Sequence, residues 1–197
     1  AGIRNTAKEL YKAFDWAKDY KNYFAVKACP TPGIMKVLKD EGMGFDCSSR
    51  AELEMVKRIG IKGSDIFYTS NNTPKEDFEL AIGLGATINI DDLSQVPVFI
   101  DALAGRTYPK VALRYNPGNA QTGNEIIGNP VEAKYGMSLE QLVEAYSLLA
   151  KSNIDEFGLH TMVASNELDP SYFGLTAKLL SGAIAEIEAK SPVKISF

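Results

Sequence analysis

The residues best placed to do chemistry begin with Lys27, inside the run Tyr23-Phe24-Ala25-Val26-Lys27-Ala28-Cys29-Pro30. A short apolar, aromatic and β-branched run of this kind reads as a buried strand of a parallel sheet. A lysine within it is anomalous, because ammonium groups are almost never buried without a partner. At the carboxyl end of a barrel strand it would stand where such folds place their chemistry. Desolvation there lowers an amine's pKa and frees it to form a Schiff base. The plain alternative is a strand-end lysine reaching water along its apolar stem.

Other candidates collect at the ends of the expected strands: Asp46, Ser48, Asn71, Asn72, Asp91, Arg114, Asn116, His160, Met162 and Ser165. Each has an ordinary explanation. Asp46 and Ser48 suit a helix cap, and Asn72 suits a turn. Arg114 ends an apolar strand, and a buried guanidinium needs an anion, either carboxylate or phosphate. His160 and Met162 share one side of a strand by its period of two, and that side could be packed barrel interior. Other chemistries are poorly supplied. With one histidine and two cysteines lacking Cys-x-x-Cys spacing, a His- or Cys-rich zinc site cannot be assembled. A Ser-His-Asp triad would need His160, and no Gly-x-Ser-x-Gly elbow occurs.

The elements that must position these residues alternate. Helices are expected over 5–21, 33–39, from Ser49 to Gly60, from Thr73, over 92–104, from Ser138, and over 172–190. Strands are expected at 23–28, 44–48, 65–69, 86–90, 110–115 and 157–163, with a seventh starting at 193. Ser49-Arg50-Ala51-Glu52 has the form of a capping box. Pro97 falls inside the 92–104 helix and weakens that assignment. Residues 116–137, rich in Gly and Asn, read as a long loop. Strand-loop-helix units repeating through the chain give an α/β fold, a (β/α)8 TIM-type barrel that is incomplete, with about seven strands. On that reading residues 1–197 are a single truncated domain, and the chain is expected to be a fragment.

Composition narrows the classes. A 45% hydrophobic, 23% charged chain with net charge −4 is an ordinary globular one, with no basic bias toward nucleic acid or anionic membrane. No apolar run reaches the roughly 20 residues of a membrane span. Two scattered cysteines suggest a reducing, cytoplasmic setting.

Several motifs together resemble one family. Tyr23-Phe24-Ala25-Val26-Lys27-Ala28 resembles the Y-A-V-K-A-N segment of the fold-type III, pyridoxal-phosphate-dependent amino-acid decarboxylases. Gly44-Phe45-Asp46-Cys47-Ser48-Ser49 with Glu52-Leu53 is similar to the family's G-F-D-x-x-S-x-x-E-L. Leu113-Arg114-Tyr115-Asn116-Pro117-Gly118, followed by Lys134-Tyr135-Gly136, resembles the L-R-x-N-P-G and K-F-G signatures of the diaminopimelate decarboxylase branch. Gly158-Leu159-His160 through Ser165 stands where that branch has G-x-H-x-H-I-G-S.

The resemblance implies a pyridoxal 5'-phosphate cofactor, with Lys27 as its Schiff-base lysine. Asp46 and Arg114 would lie beside the cofactor, with His160 and Met162 at the same site and Ser165 on the phosphate. It also implies decarboxylation of a small amino-acid substrate, meso-diaminopimelate to L-lysine, by a homodimer of the full-length protein. Alternatives are ornithine, lysine, arginine or carboxynorspermidine-type decarboxylases of the same fold, an alanine racemase, and a non-catalytic cofactor-binding homologue. Met162 stands where the family has its ring-stacking histidine, Ala164 where it has glycine, and Cys29 where it usually has asparagine. The family's glycine-rich phosphate loop, its pyridine-pairing glutamate and its C-terminal β-domain would all follow Phe197. The 197 residues alone are therefore expected to be inactive and to bind the cofactor weakly.

Overall fold

The computed structural model describes residues 2–120 and 135–197. Lys134 and most of the expected 116–137 loop lie outside them. Six strands follow one another in chain order, β1 (Tyr23–Ala25), β2 (Gly44–Cys47), β3 (Ile66–Ser70), β4 (Thr87–Ile90), β5 (Tyr108–Tyr115) and β6 (Ile154–Thr161). The β1–β2, β2–β3 and β5–β6 pairings are parallel. Helices α1 (Gly2–Ala13), α2 (Pro32–Asp40), α3 (Arg50–Arg58), α4 (Lys75–Leu84), α5 (Gln95–Leu103), α6 (Leu139–Leu149) and α7 (Pro170–Lys190) alternate with them. This is the α/β class, and it accords with the expected portion of a (β/α)8 barrel. In place of a seventh strand there is an isolated parallel bridge, Phe157 to Ile195, flanked by Ser196 N–H donating to the Phe157 carbonyl at 2.8 Å.

By its contacts the chain forms two compact units, one of residues 1–70 and 79–88, the other of 71–78 and 89–197. In the first, α1 stops at Ala13, short of the expected 21. Asp19 takes a left-handed φ of 60°, and the turn it permits lays Tyr20 flat on Phe14, ring centroids 4.3 Å apart. Residue 27 is not in the strand either: β1 ends at Ala25, and Val26–Ala28 form a 3-10 turn. Met35 and Leu38 of α2, Phe45 and Cys47 of β2, Leu53 and Val56 of α3, and Ile66 and Tyr68 of β3 are buried as the core of this unit. Such burial, at about 25 cal/mol per Å2, is the main term holding these short elements together.

In the second unit, the edge-to-face rings of Phe78, Phe99 and Tyr108 anchor α4, α5 and β5. Pro97 is compatible with α5 because it occupies the third helical position, where the N–H has no intrahelical acceptor. Ser138 and Gln141 form a complete capping box at the start of α6. The buried Tyr146 hydroxyl of α6 donates to the Gly158 carbonyl of β6 at 2.6 Å. Strand β6 starts three residues earlier than expected and stops at Thr161, so Met162 lies past its end. The cause is its partner: Thr161 pairs with Tyr115, where β5 also stops, and its hydroxyl donates to the Tyr115 carbonyl at 2.9 Å.

Candidate functional site

In the first unit, Lys27 leaves the 3-10 turn just past β1, and Asp46 stands opposite Ala25 on β2. Lys27 is exposed, so the dry setting expected for its amine is not what the structure shows. The chain turns at Val26, which is buried, and this carries the next side chain out toward water. Burial falls instead on Asp46. It pushes the carboxyl up to about 6, with Lys27 opposing and the negative charge of Glu52 adding to the rise. Glu52 is tightly held. Its carboxylate accepts the Ser48 N–H at 2.8 Å and the hydroxyls of Ser48 and Ser49 at 3.1 and 3.2 Å. Ser49 caps α3 by accepting the Glu52 N–H, as the sequence pattern requires, and Glu52 reaches back one residue further, to Ser48.

In the second unit, Arg114 finds its anion. Its guanidinium, 8% exposed, donates to Asp91, 1% exposed, at 2.8 Å. Of the two anions its burial called for, the carboxylate is therefore the one present. Arg114 also donates to the Met162 carbonyl at 3.3 Å and lies 5.3 Å from the centroid of the Tyr135 ring. The segment Tyr135–Met137 is bound to the end of β5. Met137 N–H donates to the Arg114 carbonyl, Asn116 N–H to the Met137 carbonyl, and Asn116 Nδ2 to the Tyr135 carbonyl at 2.9 Å. Asp91 also accepts the Gly136 N–H at 3.4 Å. Gly136 has φ of 79°, and a Cβ there would lie 3.1 Å from the Asn116 nitrogen.

His160 is in register with Arg114 across β5–β6, and its Nδ1 lies 3.3 Å from Asn89 Nδ2. Burial, with the Arg114 charge adding, holds the imidazole down at about 4, so it is neutral at pH 7. Met162 is 44% exposed and not in the strand, so its expected alignment with His160 on one strand face is not realised. Ser165 lies in a bend after β6 and is half-buried; Asn71 and Asn72 are in the bend after β3.

The structure thus brings Lys27, Asp46 and Glu52 together in one unit, and Asp91, Arg114, Asn89 and His160 in the other. Two of these were not anticipated as site residues. Glu52 was legible as a helix cap and as a member of the G-F-D-x-x-S-x-x-E-L pattern, with no site role given to it. Asn89 has a clear signal in hindsight, since an amide inside the apolar run Ile88-Asn89-Ile90 must be paired when buried.

Known proteins supply the context for this geometry. The family model of the pyridoxal-dependent decarboxylase, pyridoxal binding domain matches residues 1–196. Protein TabA of Pseudomonas amygdali pv. tabaci is 38% identical over 149 residues, covering 76% of this chain and 34% of that protein. Diaminopimelate decarboxylase of Methanothermobacter thermautotrophicus is 26% identical over 99% of this chain and 46% of its own length. The crystal structure of diaminopimelate decarboxylase from M. jannaschii superposes with a TM-score of 0.87 at 22% identity, over 98% of this chain and 47% of that one. The chain spans between about a third and half of the length of these relatives. By the match along almost all its length to the model of their pyridoxal-binding domain, this chain belongs to the pyridoxal-dependent decarboxylases.

Proposed function

We propose that this chain holds pyridoxal 5'-phosphate through Lys27 and serves the decarboxylation of an amino acid, meso-diaminopimelate to L-lysine, in a homodimeric cytoplasmic protein of the relatives' length. The observation that carries the reading is the place of Lys27. It is an accessible primary amine just past the carboxyl end of β1, next to the strand β2 that carries Asp46, whose carboxyl burial pushes up to about 6. That donor set fits an aldehyde cofactor, because an amine that must reach a carbonyl carbon needs access and a proton acceptor close by.

When bound, the cofactor supplies the electron sink for loss of CO2. The chain's own residues do the rest. Lys27 Nζ would hold the cofactor through its aldehyde. Asp46 takes or returns a proton beside it. The Ser165 hydroxyl is assigned to the phosphate. Arg114, neutralised by Asp91, acts as a positioned donor and not as an unpaired cation. His160 is neutral at pH 7 and can accept or donate one hydrogen bond.

One observation favours a second reading. The exposed Met162 offers sulfur and dispersion contact to a ring but no proton, which suits a cofactor-binding protein without decarboxylase activity. Incubation with pyridoxal phosphate, borohydride reduction and peptide mass mapping test the common part: the adduct is expected on Lys27 and lost in Lys27→Ala. Assay of the full-length protein against meso-diaminopimelate, ornithine, lysine and arginine separates the readings. Release of CO2 from ornithine, lysine or arginine alone overturns the diaminopimelate assignment, and none from any substrate favours the second reading.

A further inference from the structure

We propose that Tyr135 is a positioning residue for Arg114: its ring and the Asp91 carboxylate together fix the guanidinium at the end of β5. The inference deepens the functional reading, in which Arg114 is a positioned donor beside the cofactor, and rests on it. Its geometry lies wholly within the second unit.

An arginine held by one carboxylate oxygen keeps freedom to swing, since a single N–H···O bond fixes neither the turn of the fork in its plane nor its tilt. Arg114 is held at more points than that. Nη1 donates to Asp91 Oδ1 at 2.8 Å, and Nη2 to the Met162 carbonyl, just past β6, at 3.3 Å. These two bonds set the direction of the fork within its plane. Neither covers its face. Tyr135 does, because Arg114 Cζ lies over the ring, 5.3 Å from the centroid and within cation–π range.

The ring stands there because the backbone around it is bound to the same strand end. The Tyr135 carbonyl accepts from Asn116 Nδ2 at 2.9 Å. The buried Met137 donates its N–H to the Arg114 carbonyl at 2.8 Å and accepts the Asn116 N–H at 2.9 Å. Between them Gly136, with φ of 79°, passes so close that a Cβ would stand 3.2 Å from the Arg114 carbonyl oxygen. The Gly136 N–H reaches the second oxygen of Asp91, at 3.4 Å. One carboxylate thus ties both the guanidinium and the segment that carries the ring. The Arg114 donors keep their direction only while Tyr135–Met137 stays seated. It is the ring and not the hydroxyl that meets the guanidinium, so a phenylalanine should serve as well. A ring that only filled space could instead be replaced by any apolar side chain of similar size.

The experiment uses the chain as it stands. In 1H–15N spectra of the arginine side chains, the Arg114 Nε–H signal, assigned by its loss in Arg114→Lys, should be displaced by the Tyr135 ring. Nuclear Overhauser contacts should run from the ring protons to the Arg114 δ-methylene. Tyr135→Phe should keep the displacement, and Tyr135→Leu, with unchanged circular dichroism, should abolish it. The pyridoxal phosphate concentration giving half-maximal borohydride-trapped adduct on Lys27 should rise roughly 2- to 5-fold in Tyr135→Leu, the worth of one cation–π contact, and stay unchanged in Tyr135→Phe. An Arg114 signal unmoved by Tyr135→Leu, or the same half-saturation in Tyr135→Leu and Tyr135→Phe, overturns the inference while the adduct on Lys27 leaves the functional reading standing. Should Tyr135→Leu fail to fold, absence of the ring-to-methylene contacts in the unsubstituted chain overturns the inference by itself, and their presence supports it. No adduct on Lys27 in the unsubstituted chain overturns the functional reading and the inference with it.

Discussion

Removing the Asp91 carboxylate should be among the costliest single changes in this chain. Asp91 and Arg114 are a buried pair, 2.8 Å apart, and Asp91→Ala leaves the guanidinium in place without its anion. Breaking one side of such a pair costs about 3–5 kcal/mol, because the surviving charge stays desolvated. Two contacts soften the loss. Arg114 keeps the Met162 carbonyl at 3.3 Å and the face of Tyr135 at 5.3 Å, the latter worth about 0.5–1 kcal/mol. One contact deepens it, since the Gly136 N–H loses its 3.4 Å acceptor. The expected net cost is about 3 kcal/mol. With a urea slope of about 2 kcal/mol per M, the unfolding midpoint falls by about 1.5 M. The assay is equilibrium urea unfolding followed by circular dichroism and tryptophan fluorescence. The double variant Asp91→Leu with Arg114→Met, which removes both charges, should recover most of the loss. A cost below about 1 kcal/mol for Asp91→Ala, or a double variant at least as unstable as the single one, would refute the buried-pair argument.

Gly136→Ala should destabilise by about 1–3 kcal/mol in the same assay, since it combines a left-handed φ with a Cβ 3.1 Å from backbone. Gly158→Ala should cost less, because the atoms met there belong to the Phe197 ring, which can turn aside. Ser138→Ala should cost about 1 kcal/mol by removing the cap of α6. Stability should also depend on pH in two opposed ways. His160, held down at about 4 from 6.5, binds its proton more tightly when unfolded, so its contribution is full above 6.5 and is lost as pH falls toward 4. Asp46, raised from 3.8 to about 6, contributes fully below 3.8 and loses that contribution as pH rises through 6. Urea midpoints measured from pH 4 to 7 should show the acid-side loss flattened in His160→Gln and the opposite slope flattened in Asp46→Asn.

What could be read from the sequence was local. The alternation of strands and helices and the caps at Ser49 and Ser138 follow from patterns spanning a few residues, because propensity and capping act over one turn or one strand. Even there, ends drifted. The helix expected to reach residue 21 stops at Ala13, where a left-handed Asp19 lets two aromatic rings stack. Strand β1 gives way to a turn before Lys27, and the expected seventh strand is a single bridge.

The site's electrostatics were decided by tertiary structure. Arg114 demanded an anion, but only the fold selects Asp91, 23 residues away, and only the fold closes Tyr135–Met137 onto the same strand end. Asp46 looked like a helix cap or a cofactor neighbour. Its pKa is pushed up to about 6 chiefly because the packed sheet desolvates it, with Lys27 opposing and the negative charge of Glu52 adding. Sequence fixes which groups can ionise, whereas burial and distance fix whether they do; neither exists until segments far apart in the chain have packed.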